Sequence, residues 1–121
     1  MSDAGSPDPT VVRTLAVTTD DVVAALEARD RNRREAVLRV TPPFSPRMRA
    51  RLHVAGGEGA YDDEGASPVH LHPRAFVPDE FPRFPGRGAE RWRSAIRESL
   101  EKRVELDTPA GPHEVRVSFL G

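Results

Sequence analysis

The sequence predicts an α+β domain with a mainly antiparallel sheet and two helices packed on one of its faces. Three observations carry this reading. Short segments rich in Val, Leu and Thr recur along the chain, several with apolar and polar residues alternating, as strands with one buried face do. Two other segments space their apolar residues as a helix does. Finally, 12 Pro and 9 Gly in 121 residues leave much of the remainder to turns and loops. The element order that results, β-α-β-β-(β)-α-β-β, segregates the helices to one side of the sheet and leaves the other side to solvent.

Residues 1–9, with their Asp, Ser, Gly and Pro, read as a disordered lead-in. Residues 10–121 form a single domain. Thr10–Val17 is a first strand, placing Val11, Leu15 and Val17 on one side and Val12, Thr14 and Ala16 on the other. Thr18, Thr19, Asp20 and Asp21 supply an N-cap and first-turn acids that suit the positive end of a helix dipole. That helix buries Val22, Val23, Ala25 and Leu26. Its apolar stripe stops at Ala28, so Arg29 to Arg34 read as an exposed last turn and loop. Ala36–Val40 and Arg47–Val54 form a hairpin whose connection carries Pro42, Pro43 and Pro46, residues that exclude both a helix and a central strand.

A mobile acidic loop follows at 55–68, with Asp62, Asp63 and Glu64 among glycines, and then a short strand at Val69–His72. The proline-rich segment 73–88 lays Phe76, Phe81 and Phe84 over the core. Trp92, Ile96 and Leu100, at i, i+4 and i+8, define a second helix over Ala89–Arg103. Within it, Arg97–Glu101 and Glu98–Lys102 are i,i+4 pairs. Val104–Asp107 and Glu114–Leu120 close the chain as a hairpin.

Composition excludes several function classes. There is no Cys, hence no disulfide scaffold, no Cys-ligated zinc and no thiol catalysis, and a reducing cytoplasm is the expected compartment. Neither a signal peptide nor an apolar run of the roughly 18 to 20 residues that cross a bilayer is evident, so no membrane partner is expected. The formal charge of −1 conceals strong segregation. Segments 1–28, 54–82 and 104–121 carry −4, −5 and −2, whereas 29–53 and 83–103 carry +6 and +4.

Within the first basic block, Arg47, Arg49, Arg51 and His53 alternate with Met48, Ala50, Leu52 and Val54. On one strand this places the cations on a single face roughly 6.6 Å apart, a spacing that suits successive phosphates of an extended nucleic acid. Arg39 and Arg116 widen the row, and Phe44 at the hairpin tip is the candidate for stacking on a base. A solvated sheet face produces the same alternation without binding anything, and Phe44 between prolines reads more readily as a loop anchor tucked into the core.

Other chemistry is weakly marked. His70 and His72 share one strand face and, with His53 and the acidic loop, are the candidate metal-ligating residues. The pair resembles the metal-binding strand of cupins, but no Glu follows at the expected spacing. No phosphate-binding glycine loop and no nucleophilic-serine elbow is present, no cofactor is indicated, and the sequence points away from an enzyme.

The stretches Thr14–Ala25, Val37–Val54 and Leu106–Val117 resemble a family of small uncharacterised proteins of halophilic archaea. The resemblance implies a cytoplasm at molar salt and carries no activity with it. The expected function is a small non-enzymatic binding domain whose arginine face, Arg39, Arg47, Arg49, Arg51 and Arg116, meets nucleic acid or another polyanion. The alternative is an accessory subunit whose arginine face meets an acidic protein partner.

Overall fold

A computed structural model describes residues 5–55 and 67–121. After a 3-10 turn at Pro9–Val11, the elements are β1 (Thr14–Thr18), α1 (Thr19–Asn32), β2 (Glu35–Val40), β3 (Arg47–Arg49), β4 (Arg51–Ala55) and β5 (Val69–Leu71). A second 3-10 turn (Pro73–Phe76), α2 (Ala89–Glu98), β6 (Arg103–Thr108) and β7 (Gly111–Leu120) complete the chain. The fold is α+β. The strands form two sheets, ordered β3-β1-β7-β6 and β4-β2-β5. Three of the five pairings are antiparallel, and β1 is parallel to both of its neighbours.

The first strand starts later than its composition suggests. Asp8 accepts a hydrogen bond from the Thr10 amide and caps a one-turn helix that Pro9 begins, so Val12 and Leu15 both face the core. Within the expected lead-in, Ser6 and Phe44 exchange two backbone hydrogen bonds of 2.8 and 2.7 Å. Residues 1–4 lie outside the described residues, as does most of the expected acidic loop, including Asp62, Asp63 and Glu64.

Thr18 caps α1 by accepting from the Asp21 amide at 3.1 Å. The helix runs one turn past its apolar stripe, to Asn32, because tertiary partners hold that turn. Arg31 pairs with Glu27 and lies over the Phe84 ring, while Asp30 accepts from the Phe84 amide at 3.0 Å. At the other end of the chain, α2 stops at Glu98 rather than Arg103. The Glu101 amide donates to the Phe76 carbonyl, the Lys102 carbonyl accepts from Val117, and Arg103 is already in register with Arg116. Backbone groups committed in this way cannot close helical turns, and neither i,i+4 pair expected beyond residue 97 appears among the described ion pairs.

The helices are joined instead by ion pairs between them. Arg93 grips Glu27 through two hydrogen bonds of 2.8 Å, and Arg97 meets Asp20 at 3.0 Å. Hydrogen bonds from Arg93, then Arg31, hold the Glu27 carboxyl down at about 2, below its ordinary 4.5. This stabilisation is therefore fully present above pH 4.5 and is lost as pH falls toward 2. With Glu27 and Arg93 both partly in solvent, Glu27→Gln is expected to cost about 1–2 kcal/mol at neutral pH and to flatten the stability curve over that acid window, as read by urea unfolding at a series of pH values.

The core lies between the sheets and α1, which packs on β1, β2 and β4, with α2 against it. Leu15, Val17, Leu26, Leu38, Phe44, Phe76, Ile96 and Leu106 are among its buried side chains. The proline-rich segment covers it as expected: Phe76 and Phe81 are buried, Phe84 is half-buried edge-on to Trp92, and the Trp92 indole donates to the Pro82 carbonyl at 3.2 Å. Among the described residues no helix is long and apolar enough to cross a membrane.

Candidate polyanion-binding face

The expected hairpin strand Arg47–Val54 is divided between the two sheets. Residues 47–49 pair with β1 along one edge, as β3, and Ala50 completes that run by donating to the Ala16 carbonyl at 2.9 Å. Two residues further on, β1 has turned into α1, and the next amide on that edge, Leu52, donates instead to the Asp21 carboxylate in the first helical turn. From Arg51 the opposite edge is taken up by β2, with Arg39 opposite Arg51 and Leu38 opposite Leu52. The in–out alternation survives, since Ala50 is buried and Met48 and Leu52 pack on the core. What does not survive is one straight row of cations on one sheet.

Arg47 and Arg49 project from the four-stranded sheet. The register there places Arg47 beside Thr14, Thr14 beside Arg116, and Arg116 beside Arg103. Residues directly opposite across a ladder share a face, so these four form a cross-sheet row on the side away from the core. The next row on that face is Arg49, Ala16 and Ser118. Small side chains therefore floor a shallow groove of about 350 Å³ over Thr14, Ala16 and Ser118, with Arg47 and Arg49 on one side and Leu120 at the margin. Arg116 stands two strands from Arg47, roughly 10 Å across the ladder. Among the described residues Arg47, Arg49 and Arg116 have no acidic partner, and the Arg49 Nε is buried without a hydrogen bond. Arg103 meets Glu114 at 3.6 Å, both side chains being more than half exposed. Leu120 is the exposed large apolar side chain of the described residues, at 39 %.

Arg39 and Arg51 belong to the other sheet, where Arg51, Arg39 and His70 form a row. Arg39 donates to His53, its Nη1 lying 3.1 Å from the ring Nδ1, and the His53 and His70 rings stack at 5.8 Å. Burial, with the Arg39 charge and His53 adding to it, holds the His70 imidazole below its ordinary 6.5. His72 stands apart. Its Nδ1 accepts from the Arg74 amide at 3.1 Å and caps the second 3-10 turn. The three histidines are thus not gathered as a ligand set, and among the described residues no group of three His, Asp or Glu is placed to hold a metal ion. Phe44 is 1 % exposed and offers no face to a base; it is the loop's anchor in the core.

Of the five predicted arginines, then, the fold brings Arg47, Arg49 and Arg116 together and sets Arg39 and Arg51 apart. Sequence reasoning passed over Thr14, Ala16, Arg103, Ser118 and Leu120. With Arg103 assigned to the second helix, the terminal hairpin as read from the sequence did not place it beside Arg116, and the parallel docking of β1 between β3 and β7 left no local mark.

No curated protein and no solved structure matches the chain significantly. A family model does, over residues 1–91, and the chain belongs to that family, which is described as a domain of unknown function, DUF8009.

Proposed function

We propose that this protein is a non-enzymatic nucleic-acid-binding domain that takes the backbone of a single strand along the groove of the four-stranded sheet. One observation carries the reading: Arg47 and Arg49, beside a floor of Thr14, Ala16 and Ser118, and Arg116, next to Thr14 across the ladder, have no acidic partners among the described residues. Two of the three α2 arginines differ in this respect, because Arg93 and Arg97 are spent on α1 carboxylates. Low side chains between tall cationic ones let a phosphodiester approach the sheet, and each guanidinium offers a bidentate grip on one phosphate. With Phe44 buried, this face offers no aromatic ring to a base among the described residues. Binding is therefore expected to tolerate sequence and to depend on salt.

A haloarchaeal origin, as the resemblance implies, would set such binding in concentrated salt, where ionic contacts weaken; Leu120 beside the groove supplies an apolar contact that salt does not screen. The test is fluorescence anisotropy of a labelled single-stranded oligonucleotide across a salt series. Arg47/Arg49/Arg116→Ala is expected to weaken binding at least about tenfold at low salt and to reduce the log–log salt slope by about 2, the share of three phosphate contacts on a single strand. Arg39/Arg51→Ala, on the other sheet, is expected to leave the slope nearly unchanged. Equal slopes for wild type and the triple variant would overturn the reading, and capture of polyglutamate as tightly as of the oligonucleotide would favour an acidic protein partner instead.

A further inference from the structure

A second concentration of positive charge lies away from the sheet groove, where α1 ends against the proline-rich segment. Arg29, Arg33, Arg34, His72 and Arg83 line a pocket of about 300 Å³ there. Two carboxylates share it, and one of them is already engaged. Asp30 is 4 % exposed, accepts the Phe84 amide and stands 3.7 Å from Arg83 and 4.0 Å from Arg74. The other, Glu35, is exposed and has no ion pair among the described residues. The pocket thus keeps an excess of two positive charges, with Arg74 behind it.

Two further features show donors held ready rather than satisfied. Arg29 Nε is buried without a hydrogen-bond partner, a costly state for a guanidinium N–H, whereas Arg74 Nη1, outside the lining, faces Asp30 at 4.0 Å. His72 accepts the Arg74 amide at Nδ1, so its neutral ring carries its proton on Nε2 and is a donor there. Burial and the charges of Arg29, Arg74 and Arg83 keep that ring below its ordinary 6.5, hence neutral at pH 7. Arg33 adds to the picture, because it occupies the left-handed C-cap of α1 (φ 56°, ψ 36°), a position glycine takes at no steric cost.

We infer that this pocket is a binding site for a phosphate group of a phosphate monoester, held by Arg29, Arg33, Arg34, Arg83 and the His72 N–H. A phosphate dianion matches the net charge of two, and its oxygens accept several N–H donors at once. The volume, at the lower end of small-ligand sites, leaves room for little beyond the phosphate and its first substituent. The site uses none of the arginines of the sheet groove, so the two readings stand or fall separately.

The probe is inorganic phosphate at pH 7.5, titrated calorimetrically and by thermal unfolding against sodium chloride of equal ionic strength. Phosphate is expected to bind saturably and to raise the unfolding midpoint by several degrees beyond chloride. Arg29→Gln and Arg83→Gln are each expected to weaken it at least about tenfold, whereas Arg47/Arg49/Arg116→Ala leaves it unchanged. Arg83, 77 % exposed, gives a variant whose folding is not at risk. A paired comparison of 5′-phosphorylated and 5′-hydroxyl oligonucleotides identifies the source: a preference for the former means a nucleic-acid end, and equal binding means a small phosphate ester. Equal effects of phosphate and chloride, or undiminished phosphate binding by Arg83→Gln, would overturn the site.

Discussion

Phe44→Ala is expected to destabilise the protein by about 3–5 kcal/mol, the largest effect of any single substitution considered for this chain. The ring is 1 % exposed and sits in the core at the far end of a loop stiffened by Pro42, Pro43 and Pro46, while its backbone exchanges two hydrogen bonds with Ser6. Truncation therefore opens a cavity that the prolines keep from collapsing, and it loosens the attachment of the residues before β1. Urea unfolding reads the loss directly. Oligonucleotide affinity, measured where the variant is still folded, should remain at the wild-type value. A loss of stability below about 1 kcal/mol together with weakened binding would instead return Phe44 to the role of a stacking residue.

Asp30→Ala comes next, at about 2–4 kcal/mol. Its carboxylate is almost wholly buried, and it ties the proline-rich segment to α1 by accepting the Phe84 amide at 3.0 Å and facing both Arg74 and Arg83. Alanine leaves that amide unpaired and removes the only carboxylate within ion-pair reach of the half-buried Arg74 guanidinium among the described residues. Asp30→Asn keeps an acceptor for Phe84 and so isolates the ionic part of the loss. Hydrogen exchange of the Phe84 amide should accelerate in Asp30→Ala and much less in Asp30→Asn. A change under about 0.5 kcal/mol would mean that Phe84 and Trp92, not this carboxylate, hold the segment in place.

Much of the architecture was legible from local pattern. The cap at Thr18, the α1 face of Val22, Val23, Ala25 and Leu26, the Trp92–Ile96 stripe and the terminal hairpin each follow from residue types within a few positions of one another. Errors fell where a distant partner decided. The early stop of α2, imposed by pairing of the following residues with β7, leaves no trace in the segment concerned.

The arginine alternation illustrates the division most clearly. Period two along residues 47–54 was sufficient to say which side chains avoid the core, because burial of Met48, Ala50, Leu52 and Val54 forces the others outward. Which arginines stand together was another matter. That depended on the Leu52 amide finding Asp21, 31 positions earlier, and on β1 inserting in parallel between β3 and β7, both of them long-range backbone pairings. By itself, then, the sequence determined the α+β class, the helical faces and the outward direction of the cations, all of which depend on spacing within a segment. The tertiary structure alone decided that Arg47, Arg49 and Arg116 share one sheet while Arg39 and Arg51 lie on the other, because the neighbours of a strand are chosen by hydrogen bonding across the whole chain.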